Sequence, residues 1–263
     1  MCELLGLTSD APVEPQQLLC RFGARGGSVA DNPDGWGLAS LVGHTFRIDK
    51  EPRAAARSPR FRELCAQTRS ELIVAHVRKA NPPTARVLAN THPFRRLCCG
   101  REWVFAHNGM VRDTAPLRPS EPFPFCTPAG DTDSEHAFCT VLDRIAAAFS
   151  PAGKAQGARW LDALARTSGV LASHGRFNFL MSDGTHLIAY GHDRLHSLRD
   201  TATACRCSGA ARIAIVTTEP LTDESEWEAF EPGELRVYRA GCQIARFMTH
   251  PRAVRTRHPP RAA

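Results

Sequence analysis

Two short stretches of the chain carry residues that together could attack a carbonyl carbon. Cys2 follows the initiator methionine directly, and removal of Met1 would leave a thiol and a free α-amine on one residue. A cysteine beside its own base is an activated nucleophile. Farther along, Asn108 and Gly109 offer a side-chain amide and a backbone N–H, the two kinds of donor from which an oxyanion hole is built. The sequence therefore indicates nucleophilic catalysis on an amide or ester.

Two charged residues at element ends could hold the substrate of such a reaction. Arg78 stands near the end of the apolar stretch ELIVAHVRKA (71–80), and Asp133 opens a strongly helical stretch. A guanidinium forms a two-bond pair with a carboxylate, and an aspartate can accept an ammonium group. With the thiol and the two donors, these residues could bind an α-amino acid and attack its side-chain amide.

Each of these residues also has a purely structural interpretation. A small residue at position 2 is common, and an Asn-Gly pair such as Asn108-Gly109 is typical of a tight turn. Asp133 would stabilise the first turn of any helix, and Arg78 could be a solvated strand end. His76 and His107 lie in apolar stretches, as histidines of a core do. The glycines of GARGG (23–27) could simply end a helix.

Hydrophobic patterning predicts an α+β protein with antiparallel sheets. Strand-like stretches fill both ends of the chain, and two adjacent helices lie between them, so the order is not an alternation of strand and helix. The clearest helix has an apolar stripe and a capping box formed by Thr132 and Glu135. Four helices are predicted, at 14–22, 58–70, 132–149 and 157–173.

Composition excludes several classes of protein. The chain has 263 residues, enough for one large core, and a net charge of +6 carried by dispersed arginines rather than by a nucleic-acid-binding patch. It has neither a signal peptide nor an apolar stretch of ~20 residues, so we expect a cytoplasmic protein that does not bind membranes. Ten cysteines without a C-x-x-C pair favour buried free thiols over zinc ligands or disulfides.

Taken in order, the motifs resemble a known family. Cys2, ARGG, DGWGLA, AHVRKA, NTHPF, AHNG and TDSE resemble the class II glutamine amidotransferase domain of the N-terminal nucleophile hydrolases, over about residues 2–240. The chain is most similar to the small stand-alone bacterial members. The resemblance implies a four-layer αββα sandwich of two antiparallel sheets. We expect a single domain over 2–249 and a basic, proline-rich, disordered tail over 250–263.

The resemblance also implies a role for each matched residue. It makes glutamine or a γ-glutamyl compound the substrate, cleaved through a γ-glutamyl thioester, with no cofactor and no metal. The implied roles are Cys2 as nucleophile, Asn108 and Gly109 as oxyanion hole, Arg78 for the α-carboxylate, Asp133 for the α-amino group, and Arg25 with Gly26 as the turn beside the nucleophile.

The sequence departs from the larger synthases of the family and leaves alternatives open. Those enzymes usually continue after the arginine with Trp-Ala-Thr-His, where this chain has KANPP (79–83), and they append an acceptor domain for which no sequence remains here. Both departures favour hydrolysis of γ-glutamyl amides. The alternatives are a glutaminase subunit that passes ammonia to a separate synthase, a papain-like hydrolase using His107 or His92 as base, and a silent interaction module that retains Met1.

Overall fold

The computed structural model describes residues 1–81, 85–112, 126–149, 159–199, 212–223 and 226–249. These residues form strands and helices in the predicted α+β order. The helices are α1 (Gln16–Ala24), α2 (Pro59–Gln67), α3 (Asp133–Ala146) and α4 (Arg159–Ser173). The strands are β1 (Glu3–Val13), β2 (Gly35–Val42), β3 (Thr45–Glu51), β4 (Ser70–Arg78), β5 (Phe94–Cys98), β6 (Arg101–Val111), β7 (Gly175–Ser182), β8 (Leu187–Gly191), β9 (His196–Arg199), β10 (Ile213–Thr217), β11 (Glu228–Ala229), β12 (Glu234–Arg239) and β13 (Cys242–Met248).

Two antiparallel sheets stack face to face, with a pair of helices outside each. The first sheet has the order β11-β9-β10-β1-β4-β2-β3, and the second has the order β13-β12-β8-β7-β6-β5. Helices α1 and α2 pack on the outer face of the first sheet, and α3 and α4 pack on the outer face of the second. A third apolar cluster fills the space between the sheets. The predicted four-layer αββα sandwich is confirmed.

Strand β4 shows how the layers position polar residues. Ile73, Ala75 and Val77 pack with the outer helices, whereas Leu72 and Val74 pack between the sheets. Burial on both faces explains the nearly continuous apolar stretch. Because side chains alternate along a strand, His76 and Arg78 follow Leu72 and Val74 toward the second sheet. The end of β4 therefore carries a charged side chain into the space between the sheets.

The start of α3 differs from the predicted capping box. The Thr132 hydroxyl accepts a hydrogen bond from the Glu135 N–H at 3.2 Å, as predicted. The Glu135 carboxylate instead accepts the Gly130 N–H at 2.7 Å and pairs with Arg96. A full charge from Arg96 attracts the carboxylate more strongly than a backbone N–H does, so only half of the box forms. This arrangement fixes the loop that leads into Asp133.

Other expectations are corrected or lie outside the described residues. Cys126 and Cys139 form a disulfide with an S–S distance of 2.06 Å, so the expectation of free thiols is wrong for this pair. The predicted disordered tail (250–263) lies outside the described residues. Among the described helices, none is long and apolar enough to span a bilayer.

Three histidines lie buried next to the charged end of β4. His76, His92 and His107 are each at most 4% exposed, and the His76 and His92 rings are 4.3 Å apart between centroids. Burial lowers the pKa of all three imidazoles, and for His76 the value falls to about 3. The charge of Arg78 acts in the same direction on His76 and His92. The folded protein therefore holds all three rings neutral.

This cluster predicts a loss of stability in mild acid. An unfolded histidine has a pKa of about 6.5, so below that pH the unfolded chain binds protons that the folded chain does not. Stability is fully present above about pH 6.5 and is lost as the pH falls, by up to about 1.4 kcal/mol per pH unit for each histidine. Urea unfolding between about pH 7 and about pH 5 measures this slope.

A matched pair of variants tests the assignment. His92→Phe removes one titrating group beside the aromatic ring of Phe94 and should reduce the slope by up to one proton. His44 is exposed in the β2–β3 turn, so His44→Gln should leave the slope unchanged. A flat stability profile in the parent protein would contradict the prediction.

Candidate active site

Cys2 lies where β1 and β4 come together. Strand β1 pairs antiparallel with β4 so that Glu3 faces Val77, which brings Cys2 level with Arg78 at the end of β4. The Lys79 N–H donates to Cys2 Sγ at 3.2 Å, and Sγ lies 3.3 Å from the Lys79 carbonyl oxygen. Burial raises the pKa of the Cys2 thiol, partly opposed by the Lys79 N–H and the charge of Arg78. The thiol is therefore protonated at neutral pH and needs a base.

Asn108 and Gly109 lie inside strand β6 rather than in a tight turn, so the simple turn interpretation is wrong. They face Asn178 and Phe177 of β7. Gly109 has φ of 148°, and a Cβ there would lie 1.9 Å from the Arg176 carbonyl oxygen, so this position requires glycine. The Asn108 side-chain Nδ2 donates to the Cys2 carbonyl oxygen. The second sheet thus delivers an amide donor to the cysteine on the first.

These residues border one cavity of about 490 Å³. The lining of this cavity includes three residues that the sequence singled out, Cys2, Asn108 and Gly109. The described lining consists of Met1, Cys2, Lys79, Asn81, Asn108, Gly109, Met110, Arg112, Arg176, His192 and Asp193. A thiol and an amide donor therefore border a space large enough for a small molecule.

Arg78 and Asp133 lie outside this lining. Arg78 is only 4% exposed, and its Nη1 donates to the Ala85 carbonyl at 3.2 Å. Burial lowers the pKa of its guanidinium, opposed by Cys2 and by Asp34. Asp133 Oδ2 accepts the Val111 N–H at 2.7 Å, and Asp133 Oδ1 lies 3.4 Å from the Ser134 hydroxyl. The structure places Arg78 beside Cys2 but does not bring Asp133 into the cavity with it.

Two sequence motifs without a predicted role hold the surroundings of Arg78. In DGWG, the Asp34 carboxylate accepts the Ala80 N–H at 2.8 Å and pairs with Arg86 at 2.8 Å. In NTHPF, Asn90 donates to the Ala85 carbonyl and accepts the Asp131 N–H, both at 3.2 Å. Asn90 thus joins the segment over Arg78 to the segment leading to Asp133. These two motifs therefore hold the segments next to Arg78 and Asp133 in place.

Arg25 pairs with Glu3, the residue after Cys2, and Gly26 packs against the residues behind β4. The Arg25 guanidinium makes a two-bond ion pair with Glu3, whose second contact is 3.1 Å. Asn32 donates to the Arg25 carbonyl at 3.1 Å. A Cβ at Gly26 would lie 2.6 Å from the Ala55 Cβ and 3.0 Å from Val77. The turn therefore fits closely behind β4 and anchors the start of β1, rather than contributing to the cavity lining.

Sequence reasoning missed the contribution of β7 and β8 to the site. Arg176 stands near the start of β7, and its Nε pairs with Asp193 at 2.6 Å. His192 and Asp193 follow β8 directly and line the cavity. Asn178 of β7 is fully buried and donates to the side chains of Asn108 and Asp193. The detectable signal was a lone asparagine inside the apolar stretch RFNFLM and a polar group, GHDR, at a strand end.

The two histidines of the papain-like alternative contact groups other than the Cys2 thiol. His107 Nδ1 is 2.8 Å from the Ser134 hydroxyl, and Nε2 is 3.2 Å from the Arg176 carbonyl. The His92 ring contacts the rings of His76 and Phe94 in tilted arrangements. Neither belongs to the cavity lining, where the described histidine is His192. The geometry gives no support to a Cys2–His107 or Cys2–His92 pair.

Comparison with known proteins identifies one family over nearly the whole chain. The model of the class II glutamine amidotransferases matches residues 1–261. YafJ of Escherichia coli K12, named as a glutamine amidotransferase, is 31% identical over 93% of this chain and 100% of its own. A relative in Haemophilus influenzae, named likewise, is 30% identical over 96% of this chain and 89% of its own.

Solved structures agree. A predicted glutamine amidotransferase of Pseudomonas aeruginosa PA01 superimposes with a TM-score of 0.70 at 29% identity, covering 93% of this chain and 100% of that one. The glutamine phosphoribosylpyrophosphate amidotransferase of Bacillus subtilis shares the fold, with a TM-score of 0.63 at 16% identity over 92% of this chain and 48% of that one. The chain belongs to the class II glutamine amidotransferase family.

Proposed function

We propose that this protein is an amidohydrolase that cleaves the side-chain amide of glutamine or of a γ-glutamyl amide with Cys2 as nucleophile. The observation that carries the proposal is the convergence of Cys2, Asn108 and Gly109 on one cavity from two different sheets. Family membership supports the class of reaction. The products are glutamate and either ammonia or an amine.

The mechanism needs the α-amine of Cys2, which becomes free when Met1 is removed. The neutral amine accepts the thiol proton, and the thiolate attacks the amide carbon to form a C–S bond. Asn108 Nδ2 and the Gly109 N–H stabilise the oxyanion. The protonated amine then gives its proton to the leaving nitrogen as the C–N bond breaks. Water, deprotonated by the same amine, hydrolyses the thioester and restores the thiol.

The cavity supports a substrate that extends beyond a primary amide. Its volume is about 490 Å³, and its lining includes Arg112, Arg176 and His192 besides Cys2. Lys79, which follows Arg78 and contributes to the lining, pairs with Asp31 at the surface. Arg78, next to the thiol, is the group we assign to the substrate α-carboxylate, and Asp133 remains our proposal for the α-amino group.

Maturation and pH dependence test the base. Active protein should lack Met1, and a glutamine-analogue electrophile should label Cys2 once per chain. Because the amine has a reference pKa of ~7.7–8.0, kcat/KM should rise with pH and level off by about pH 9. If the thiol titrated alone, its pKa would lie above the ordinary value of 9.0, and the rate would keep rising beyond pH 9.0. N-terminal mass analysis and a pH profile measure both effects.

A matched cysteine serves as the control for labelling. Cys20 is exposed on α1, and Cys20→Ser should leave labelling of Cys2 and turnover unchanged. Cys2→Ser should abolish the labelling. Full activity in protein that keeps Met1 would rule out the mechanism and favour the Cys–His alternative. Protein that keeps Met1 and has no activity would favour the silent interaction module.

The oxyanion donor gives a second prediction. Asn108→Ala removes the Nδ2 donor and should lower kcat by about 10²–10³-fold, the usual effect of losing one such donor. The fold should persist, because Asn178 keeps its bond to Asp193 at 2.8 Å. Steady-state kinetics with thermal unfolding as control measure both quantities. Normal turnover in a folded variant would remove Asn108 from the mechanism.

Substrate choice separates a hydrolase from an ammonia-supplying subunit. The isolated protein should hydrolyse a γ-glutamyl anilide at least as well as glutamine, and an analogue without the α-amino group should bind poorly. Arg78→Lys should raise KM, because an ammonium cannot form the planar two-bond contact with a carboxylate. Cleavage of free glutamine alone, and only when a synthase is added, would establish the subunit alternative instead.

A further inference from the structure

Asn178 is a buried amide at the centre of an otherwise apolar strand. It is 0% exposed, and its neighbours Phe177 and Phe179 on β7 are also 0% exposed. In the register of the second sheet it lies directly opposite Asn108. A buried amide is costly unless its hydrogen bonds are made, so its partners indicate why an asparagine stands there.

The partners of Asn178 define the orientation of its amide. Its Oδ1 accepts three backbone N–H groups, those of His192 at 2.8 Å, Asp193 at 3.1 Å and Arg194 at 3.3 Å. A backbone N–H can only donate, so the atom facing this turn must be the oxygen. The other atom of the amide is therefore the NH₂ group, and Nδ2 donates to Asp193 Oδ1 at 2.8 Å.

The same group sets the orientation of Asn108. Asn178 Nδ2 donates to Asn108 Oδ1 at 3.0 Å and lies 3.3 Å from the Asn108 backbone oxygen. With its oxygen held on this side, Asn108 directs its own Nδ2 to the carbonyl of Cys2. A reversed Asn108 amide would place two NH₂ groups against each other and its oxygen against the Cys2 carbonyl. Only one orientation satisfies both neighbours.

We propose that Asn178 is a positioning residue that keeps the Asn108 amide turned with its Nδ2 donor toward Cys2. The backbone N–H groups of residues 192–194 hold the Asn178 amide in the orientation that this requires. This inference rests on the proposed function, because that function gives Asn108 an oxyanion to stabilise. The Arg176–Asp193 ion pair at 2.6 Å holds the turn against β7. The backbone N–H groups of the turn thus orient the Asn178 amide, and Asn178 orients the Asn108 amide beside Cys2.

Asn178→Asp is the decisive variant. A carboxylate still accepts the three N–H groups, but its second oxygen now faces Asn108 as an acceptor. Asn108 then turns its NH₂ toward position 178 and its oxygen toward Cys2. We expect kcat on a γ-glutamyl amide to fall at least about tenfold, approaching the loss caused by removing an oxyanion donor, while KM changes less than about threefold.

A readout that needs no oxyanion separates positioning from damage to the fold. In the alkylation of Cys2 by iodoacetamide, the thiolate displaces iodide from a saturated carbon, so no oxyanion forms. Its rate, followed on the N-terminal peptide by mass spectrometry, should match that of the parent protein. A parallel fall of alkylation and kcat would overturn the inference, because it would show general disruption of the site.

A second variant removes the charge repulsion that Asn178→Asp creates. In Asn178→Asp/Asp193→Asn, residue 193 can donate to the new carboxylate, so thermal stability should recover. Relative to Asp193→Asn alone, kcat should still fall at least about tenfold, since Asn108 remains reversed. Activity that recovers with stability would overturn the inference. An active parent with unchanged kcat in Asn178→Asp overturns this inference alone, whereas a parent that cleaves no amide overturns the proposed function with it.

Discussion

The hydrogen bond from the Asn108 side chain to the Cys2 carbonyl is the point at which the two sheets meet in the site. Cys2 directly precedes β1 of the first sheet and Asn108 lies in β6 of the second, so their distance depends on how the sheets stack. Apolar side chains that range from Ala39 and Ala106 to Phe46 and Tyr238 fill the space between the sheets. Since packed cores resist changes in volume, the site inherits its geometry from the sandwich.

The same packing explains why so many polar groups near the site are buried in pairs. Glu3 is 3% exposed and is neutralised by Arg25, and Asp34, at 2% exposed, is held by Arg86 and the Ala80 N–H. A buried charge without a partner would cost several kcal/mol. Each pair therefore stabilises one end of a strand that carries a site residue, Glu3 beside Cys2 and Asp34 behind Arg78.

The sequence predicted the fold class and the helices well because burial imposes regular patterns. The apolar stripe of α3 and the apolar stretch of β4 are direct consequences of packing on one face or on two. Short elements such as β5 and β11 carried too little pattern to be predicted. Their existence depends on pairing with strands distant in sequence, as β11 pairs with β9.

The candidate site was only partly predictable for a related reason. Cys2 and Asn108-Gly109 were recognisable from residue type and order, and the structure brings them together. Asn178, Arg176 and Asp193 contribute through register and through a turn at the end of β8, neither of which is written in local sequence. Asn108-Gly109 itself reads locally as a turn, and only its pairing with β7 shows that it lies in a strand. Tertiary contacts decided these cases.

The position of Met1 adds a constraint on when the site can work. Met1 lines the same cavity as Cys2, and its sulfur contacts the Arg176 guanidinium. While Met1 is attached, the nitrogen of Cys2 is an amide and cannot act as a base, and burial keeps the thiol protonated. Cleavage of one peptide bond therefore changes two things together under the proposed mechanism. It frees the part of the cavity that Met1 occupied, and it creates the amine that the raised pKa of the thiol makes necessary.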